Sequence, residues 1–295
     1  MSSLARGGSR AIVAIVVFAI PLRAGNLDPA APPGPTMRTL DQVEPRYMLT
    51  GGVGSTTIRS SNSSYYFTGT RTGISGSDGI VVDASNVTID LSGFSLVGVA
   101  GSLDGIRIAA GRTNVTIRNG NVSGWGGDGI DAVAGSGVRI EDVAASANAG
   151  DGFRTGAAGG LVDCAAVGNG GDGFDAGSGD AALERCSARA NGATTASSAG
   201  FRMSSGMARG CVAIDNVGGA DGFVIGNGAY VTGCYAQGNQ GWGFDGAIGS
   251  VVLANTATRN QAGNFNFAAQ AKWGIVETIS IGQNTSSNNI ANLQF

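Results

Sequence analysis

Apolar and polar residues alternate along most of this chain in short runs, which are separated by glycine-containing corners. Examples are NVTIDLSG, NVTIRNGNVSG, GVRIEDVAA and SVVLANTA. Alternation with a period of two is typical of a strand that has one side on a core. No unit contains the roughly 10–12 residues of 3.6-residue periodicity that a helical or leucine-rich repeat requires. The pattern therefore predicts many short strands and no long helices.

The short runs belong to an internal repeat. A phrase of the form Asp-Gly-Ile or Asp-Gly-Phe, as in GNGGDGFDAG, recurs at steps of 21 to 27 residues. Its glycine is found at Gly79, Gly105, Gly129, Gly152, Gly173, Gly200, Gly222 and Gly243, with Asn264 in the ninth place. A second column keeps the same step, at Asn148, Asn169, Asn191, Asn216, Asn239 and Asn260. Two features locked together over six units establish a real repeat.

Units of this length with two or three short strands suit the coils of a parallel β-helix, which stack at roughly 4.8 Å. The corner glycine permits a conformation that a side chain would penalise. The next residue should point into the core, at Ile80, Ile106, Ile130, Phe153, Phe174, Phe201, Phe223, Phe244 and Phe265. The residue after it should face outward, at Val81, Arg107, Asp131, Arg154, Asp175, Arg202, Val224, Asp245 and Asn266. The asparagines are expected to bond to one another along the axis.

The N-x-G-D-G-[IF] phrases and the stretch NVTIDLSGFSLVG (Asn86–Gly98) resemble the right-handed parallel β-helix repeat proteins of the pectin-lyase-like superfamily. The resemblance extends over roughly Ser77 to Gln270. It implies an all-β fold, a single-stranded right-handed parallel β-helix (solenoid) of about nine coils with N- and C-terminal caps. Right-handed crossovers are also the strong preference of parallel strands. The superfamily contains lyases, hydrolases, epimerases and tailspikes, so the resemblance is specific for fold and weak for function.

The N-terminus has the pattern of an export signal. Arg6 and Arg10 precede the apolar run Ala11–Ile20, and a cleavage point follows Ala24. The run is shorter than the about 20 residues of a membrane-spanning helix, although an uncleaved anchor is the alternative. A secreted, periplasmic or cell-surface protein is therefore expected, with no transmembrane span after signal removal. The predicted organisation is 1–24 signal peptide, 25–46 Pro-rich spacer and start of the N-terminal cap, 47–76 N-terminal cap, 77–270 β-helix, and 271–295 last coil and C-terminal cap.

Composition narrows the chemistry. The 295 residues include 52 glycines and no histidine, which excludes histidine general acid/base catalysis, Ser-His-Asp triads and histidine metal sites. Without residues 1–24 the chain has 15 basic and 21 acidic residues, a net charge of −6. An acidic chain of this kind is not expected to bind a nucleic-acid backbone. A monomer is the default expectation for the oligomeric state.

Two further columns each allow two interpretations. Cys164, Cys186, Cys211 and Cys234 occupy one place in four coils, which favours a ladder of free buried thiols over two disulfides. The corner aspartates precede the repeated glycine at Asp78, Asp104, Asp128, Asp151, Asp172 and Asp221. They are expected to cap their own turns. The alternative is a calcium-binding edge, for which Asp128, Asp151 and Asp172 are the weak candidates, and no other cofactor is required.

The outward row Arg107–Asp131–Arg154–Asp175–Arg202 alternates in charge. One interpretation is a ladder of ion pairs. The other is a saccharide groove, in which Asp131, Arg154 and Asp175 are the catalytic candidates, because paired carboxylates can hydrolyse glycosides and an arginine can support β-elimination of an acidic sugar. Arg107, Arg202, Trp125 and Trp242 are the predicted binding residues. The insertion GATTASSA (Gly192–Ala199) is expected to overhang Asp175 and Arg202.

The sequence thus predicts an exported β-helix protein that binds or modifies a polysaccharide or cell-surface glycan on its charged sheet face. If it is an enzyme, it is a polysaccharide lyase or glycoside hydrolase that works without histidine. The G-H-G and D-P-H-E motifs of polygalacturonases and alginate epimerases are absent, so no family catalytic residue is transferred. The alternative is a non-catalytic structural or surface β-helix protein, for adhesion or as an envelope component. A third alternative is a trimeric tailspike-like adhesin, which would need a large apolar outer face that the sequence does not show.

Overall fold

A computed structural model of the chain describes residues 46–194, 197–274, 276–278 and 292–294. The predicted signal peptide, the Pro-rich spacer and most of the predicted C-terminal cap lie outside these residues. The 29 strands of the described residues all pair in parallel and wind into a solenoid with three faces, which we call A, B and C. Long strands turn a corner and contribute to two faces. No helix of the described residues is long and apolar enough to cross a bilayer.

Face A is formed by the strands that follow the repeated glycine. Its ten strands, one per coil, are β3 (Thr56–Ile58), β6 (Ile80–Val82), β9 (Ile106–Ile108), β11 (Ile130–Ala132), β13 (Phe153–Thr155), β16 (Phe174–Glu184), β18 (Ala199–Arg209), β20 (Asp221–Ile225), β23 (Trp242–Gly246) and β26 (Gly263–Phe267). Ten coils agree closely with the nine that the repeat predicts.

Faces B and C complete each coil. Face B contains β1 (Tyr47–Leu49), β4 (Ser63–Phe67), β7 (Val87–Asp90), β10 (Val115–Ser123), β12 (Arg139–Ser146), β14 (Gly160–Val162), β21 (Ala229–Thr232), β24 (Val251–Leu253) and β27 (Lys272–Trp273), with the ends of β16 and β18. Face C contains β2 (Gly52–Val53), β5 (Arg71–Thr72), β8 (Ser95–Val97), β15 (Ala165–Val167), β17 (Ser187–Arg189), β19 (Val212–Ile214), β22 (Tyr235–Gln237), β25 (Thr256–Thr258) and β29 (Asn292–Gln294), with the ends of β10 and β12; β28 (Val276–Thr278) pairs with β29.

The predicted N-terminal cap is part of the solenoid instead. Residues 47–76 form β1 to β5, and Thr56–Ile58 pairs in register with Ile80–Val82 of the next coil. No helix occurs between 46 and 76. The reason is that side chains alternate in direction along the strand in NSSYYF, which places Tyr65 and Phe67 in the core and Tyr66 outside. The regular coils therefore begin about one repeat earlier than expected.

The core is built from columns of identical side chains. Six phenylalanine rings of face A stack in parallel, with centroids 4.7 to 5.4 Å apart, at Phe153, Phe174, Phe201, Phe223, Phe244 and Phe265. The spacing of stacked coils matches the offset that aromatic pairs prefer. The prediction of one continuous apolar stack is confirmed by the strand register and the burial.

The asparagine column forms a buried ladder at the corner that leads into face A. The side chain of Asn191, for example, donates to Asn216 Oδ1 at 3.1 Å and to the carbonyl of Ala166 at 3.0 Å. Its own Oδ1 accepts from the backbone and side-chain nitrogens of Asn169 at 3.0 and 2.9 Å. The side chain thus satisfies backbone groups of two coils at a place that water does not reach.

The four cysteines are free, buried thiols, so the predicted thiol ladder is confirmed. Each sulfur lies near the carbonyl oxygen two residues before it, and the Cys164 thiol contacts those of Val162 and Ile140 at 3.4 and 3.5 Å. Asn255 ends the column with an amide that donates to Val231 at 3.0 Å. The small thiols therefore fill the corner between faces B and C and offer weak donors to its carbonyls.

Candidate functional site

The outward row of face A follows the register that the sequence predicts. Arg107 pairs with Asp131, Asp131 with Arg154, Arg154 with Asp175, and Asp175 with Arg202. All five side chains are half-buried, whereas their neighbours along each strand point into the core. Because the strands hold these residues about 4.8 Å apart, the row is a rigid, straight strip of charge. We call this strip the charged face.

The arginines, however, do not pair mainly with their neighbours in the row. Each reaches the corner aspartate of the preceding coil: Arg107 contacts Asp78 at 2.7 Å, Arg154 contacts Asp128 at 3.1 Å, and Arg202 contacts Asp172 at 2.6 Å. Within the row, the ion pair between Arg154 and Asp175 is longer, at 3.6 Å. A corner carboxylate is the better partner because it is mostly withdrawn from water, which strengthens a charge-assisted bond. The prediction that the arginines and aspartates of the outward row pair mainly with one another is therefore wrong.

The corner aspartates bind the next coil and not their own turn. Asp104 Oδ1 accepts the backbone N–H of Asp128 at 2.8 Å, and Asp128 Oδ1 accepts that of Asp151 at 2.7 Å. The same bond joins Asp151 Oδ1 to the N–H of Asp172 at 2.6 Å. The expectation of a cap within one turn is corrected accordingly. Inter-coil bonds of this type satisfy backbone donors that the parallel ladder leaves unpaired at the corner.

The inter-coil bond also explains the glycine that directly precedes three of the corner aspartates, Asp128, Asp151 and Asp172. A Cβ atom at Gly171 would collide with Oδ1 of Asp151, and one at Gly150 would collide with Oδ1 of Asp128. The second glycine of the phrase has a different neighbour: a Cβ at Gly173 would lie 2.6 Å from the carbonyl oxygen of Gly200. The two glycines that flank Asp172 are therefore required by close approach of the adjacent coil.

Stacking the carboxylates has an electrostatic consequence. Burial raises the pKa of Asp151 to about 7, and the charges of Asp172 and Asp128 add to the effect. The pKa values of Asp104, Asp128, Asp172 and Asp221 are also raised, in each case chiefly by burial. A carboxyl whose ionised form loses water and faces like charges holds its proton to a higher pH.

We expect the stability of the protein to depend on pH through Asp151. Between about pH 4 and pH 7 the Asp151 carboxyl is protonated in the folded protein and ionised in the unfolded chain. Its protonation therefore contributes fully to the free energy of unfolding below pH 4, and this contribution is lost as the pH rises through 7. Asp151→Asn keeps an oxygen for the N–H of Asp172 and cannot ionise. Between pH 4 and pH 8, the free energy of unfolding of the wild type should fall by about 2–4 kcal/mol more than that of the variant. Denaturant unfolding at several pH values measures the difference, and two parallel curves would contradict it.

Two depressions lie on either side of Arg202. The first, about 200 Å³, is lined by Asp151, Gly171, Asp172, Ser197, Ser198 and Arg202. The second, about 330 Å³, runs along face A beside Gly177, Met203, Ser204, Val224 and Asp245. The guanidinium of Arg202 also donates to the carbonyl of Ser197, so the insertion lies against this arginine, as the sequence predicts. Thr195 and Ala196 of the insertion lie outside the described residues.

Asp131 and Asp175 stand on the charged face two coils apart, with Arg154 between them. One oxygen of each carboxylate accepts a backbone N–H two residues on, from Val133 at 3.1 Å and from Gly177 at 2.9 Å. These bonds fix both side chains in Asx turns. The other oxygen of Asp175, Oδ2, lies 3.6 Å from Nε of Arg154.

The two tryptophans that the sequence predicts as binding residues lie in different environments. Trp125 is 1 % exposed, and its indole N–H donates to the carbonyl of Leu96 at 3.2 Å. Its prediction as a binding residue is wrong, because it fills the position of the asparagine ladder in its own coil: Asn148 Oδ1 accepts its backbone N–H. Trp242 is half-exposed, lies over Gly263 and occupies the corner place of an aspartate. Its role as a binding residue stays a prediction.

Within the part of the chain that the structure describes, no group of three or more cysteine, aspartate or glutamate side chains is arranged to hold a metal ion. The corner aspartates point along the axis toward backbone N–H groups, and three of them bind arginines. The alternative of a calcium-binding edge at Asp128, Asp151 and Asp172 stays a prediction.

Comparison with solved structures identifies the fold. The chain is similar to the pectate lyase Pel9A, with a TM-score of 0.50, 19% identity and 84% of this chain covered. It is also similar to a tailspike of an Acinetobacter phage, with a TM-score of 0.53, 14% identity and 84% of this chain covered. The fold is a right-handed parallel β-helix. The chain spans 66% and 56% of the length of these two proteins. No protein-family model and no curated protein matches it.

Proposed function

We propose that the protein binds a polysaccharide along the charged face, with Arg202 at the centre of the site. The observation behind this proposal is the pair of depressions that flank Arg202, one under the insertion and one along face A. The depression under the insertion is lined by charged and polar groups, and the one along face A also by the apolar side chains of Met203, Val224 and Ile225. Sugars are bound by such combinations, since their hydroxyls need hydrogen-bond partners and their ring faces need apolar contact.

The rigidity of the solenoid supports the proposal. Arg202 is fixed by Asp172 and by the carbonyl of Ser197, and Asp175 is fixed by the N–H of Gly177. Side chains that are already ordered lose little conformational entropy when a ligand binds. The straight row of face A also extends over several coils, which suits a polymer better than a small, globular ligand. The names of the structural neighbours, a pectate lyase and a phage tailspike, add support only by analogy of fold.

The arrangement also suggests how a bound glycan could be modified. Asp131 and Asp175 are two coils apart, roughly 9–10 Å between backbones. Carboxylates at such a separation can hydrolyse a glycosidic bond with inversion, one as the acid and one as the base. Arg154 lies between them and would position Asp175, which it contacts at 3.6 Å. We propose this hydrolytic role for Asp131, Arg154 and Asp175, and export of the protein to the medium, periplasm or cell surface where its polymer is found.

A second function is favoured by a specific observation. Every arginine of the charged face already binds a corner aspartate. The same contacts would be expected in a structural or adhesive β-helix protein whose surface pairs only stabilise the stack. The two functions differ in one respect: a structural solenoid requires no ligand at Arg202.

A glycan-array screen with the purified protein tests the proposal. The Asp131→Asn/Asp175→Asn variant keeps the Asx turns and loses two charges. We expect saturable binding to one glycan class, weakened at least about tenfold in this variant. The matched control is Asp142→Asn/Asp163→Asn, which removes two carboxylates from exposed positions at the corner between faces B and C and should bind as the wild type does. Binding should be equal with calcium and with a chelator. A folded wild type that binds no glycan would leave the structural function.

A further inference from the structure

Face A carries more negatively charged than positively charged side chains. The corner column and the outward row together contain nine aspartates and three arginines in the described chain. The arginines are Arg107, Arg154 and Arg202, and the aspartates are Asp78, Asp104, Asp128, Asp131, Asp151, Asp172, Asp175, Asp221 and Asp245. Each arginine is bound to a carboxylate that is 13 % exposed or less. The positive charge of each arginine is therefore neutralised by a carboxylate of the corner column.

Arg154 shows the imbalance most clearly. Its guanidinium contacts Asp128 at 3.1 Å, Asp151 at 3.4 Å and Asp175 at 3.6 Å. An anionic sugar placed here would have to compete with the carboxylates of Asp128 and Asp175 for one arginine, and with that of Asp151 where the pH is above its pKa of about 7. It would also meet the repulsion of the surrounding aspartates, which is strong where the dielectric constant is low. The geometry is thus unfavourable for a polyuronate.

The outward carboxylates remain as the groups that a ligand can reach. Asp131 and Asp175 each direct one oxygen to a backbone N–H, and Asp245 accepts from the side chain of Asn266 at 2.8 Å. These bonds leave a second carboxylate oxygen on each residue, which in Asp175 lies 3.6 Å from Arg154. Asp131 and Asp175 are two coils apart, and Asp245 is three coils further, or about 9.6 and 14 Å at the spacing of stacked strands. The shorter distance is comparable to one disaccharide unit of an extended glycan.

We propose that the polysaccharide bound at the charged face carries free amino groups, as in a de-N-acetylated hexosamine polymer. This inference rests on the proposed function and specifies its ligand. Ammonium groups at regular intervals along a glycan meet the outward carboxylates of Asp131, Asp175 and Asp245 in charge-assisted hydrogen bonds. The net negative charge of face A attracts such a polymer over a distance, and added salt weakens that attraction. Arg202 contacts the uncharged hydroxyls of the same chain.

Three glucosamine-type and uronate-type probes of equal length test the inference. They are a fully deacetylated β-1,4-glucosamine oligomer, its N-acetylated counterpart and an oligogalacturonate, each titrated into the full-length protein by calorimetry at slightly acidic pH. We expect the deacetylated oligomer to bind at least about tenfold more tightly than the acetylated one at low ionic strength, and the difference to shrink as salt is added. Asp131→Asn/Asp175→Asn should lose most of the preference, and Asp142→Asn/Asp163→Asn should keep it.

The outcomes separate the inference from the function on which it rests. Equal binding of the acetylated and deacetylated oligomers, or tighter binding of the oligogalacturonate, would overturn the amino-sugar inference and leave polysaccharide binding standing. Binding of the deacetylated oligomer that is equally weakened by both double variants would show attraction to the overall negative charge and would also overturn the inferred site. A folded protein that binds none of the three probes, and nothing on the glycan array, would overturn both.

Discussion

Phe201→Ala should destabilise the protein by about 3–5 kcal/mol, the usual loss when a buried phenylalanine is truncated. Phe201 lies in the middle of the six-ring stack, with centroids 4.7 Å from those of Phe174 and Phe223. Its side chain has no exposed surface. The missing ring leaves a cavity that cannot collapse easily, because inter-coil hydrogen bonds fix the backbone on both sides. Urea or guanidinium unfolding followed by circular dichroism measures the loss.

Phe265→Ala provides a matched control in the same column. Phe265 is only partly buried, and its centroid is 5.4 Å from that of Phe244, the longest separation in the stack. The same truncation should therefore cost clearly less there, since less apolar area leaves water on folding. A loss at Phe201 that is below about 1 kcal/mol, or equal to the loss at Phe265, would contradict a continuous and tightly packed stack.

Asn191→Ala should cost about 3 kcal/mol or more, because four buried polar groups lose a partner at once. These are the carbonyl of Ala166, Oδ1 of Asn216, and the backbone and side-chain nitrogens of Asn169. An orphaned buried donor or acceptor costs about 1–3 kcal/mol, and partial hydration of the vacated space reduces the sum. The free energy of unfolding and the hydrogen exchange of the Asn169 amide both report the effect.

An exposed asparagine ladder supplies the control for this variant. Asn86 donates to Asn62 Oδ1 at 3.0 Å and accepts from Asn114 at 2.9 Å, so its amide contacts copy those inside the solenoid. All three asparagines have positive φ, near 57°, which glycine adopts without strain. Asn86→Gly should change the stability by less than about 1 kcal/mol, because water replaces the lost partners. Similar losses at Asn86 and Asn191 would show that burial does not set the cost.

The repeat makes much of this fold predictable from the sequence. Inter-coil register follows from the fixed spacing between the asparagine column, the corner glycine and the inward residue, so Phe174 and Phe201 can be placed in contact without coordinates. The outward position of Arg202 follows from the alternation of a strand. The first coil was missed because it lacks the glycine phrase. Asn62, which lies one repeat before Asn86 and continues its column, is the signal that identifies it.

The partners of the charged residues could not be predicted in the same way. Register places Arg154 beside Asp131 and Asp175, but a long, flexible side chain selects its partner by burial, and Asp128 is the more buried carboxylate. The prediction of Trp125 as a binding residue is wrong for a simpler reason. Trp125 stands four residues before Gly129, as Asn148 stands four before Gly152, so its place in the buried column was already visible in the spacing. The depression beside Ser197 and Ser198 depends on the path of an irregular insertion, for which the repeat gives no template.

The most direct test of the central claim is a crystal structure of the protein with the oligosaccharide that binds most tightly. The sugar rings should lie along face A, within hydrogen-bond distance of Arg202, Asp175 and the serines of the insertion, and should occupy the depressions on both sides of that arginine. An oligosaccharide bound at face B or face C, away from Arg202, would contradict the proposed site.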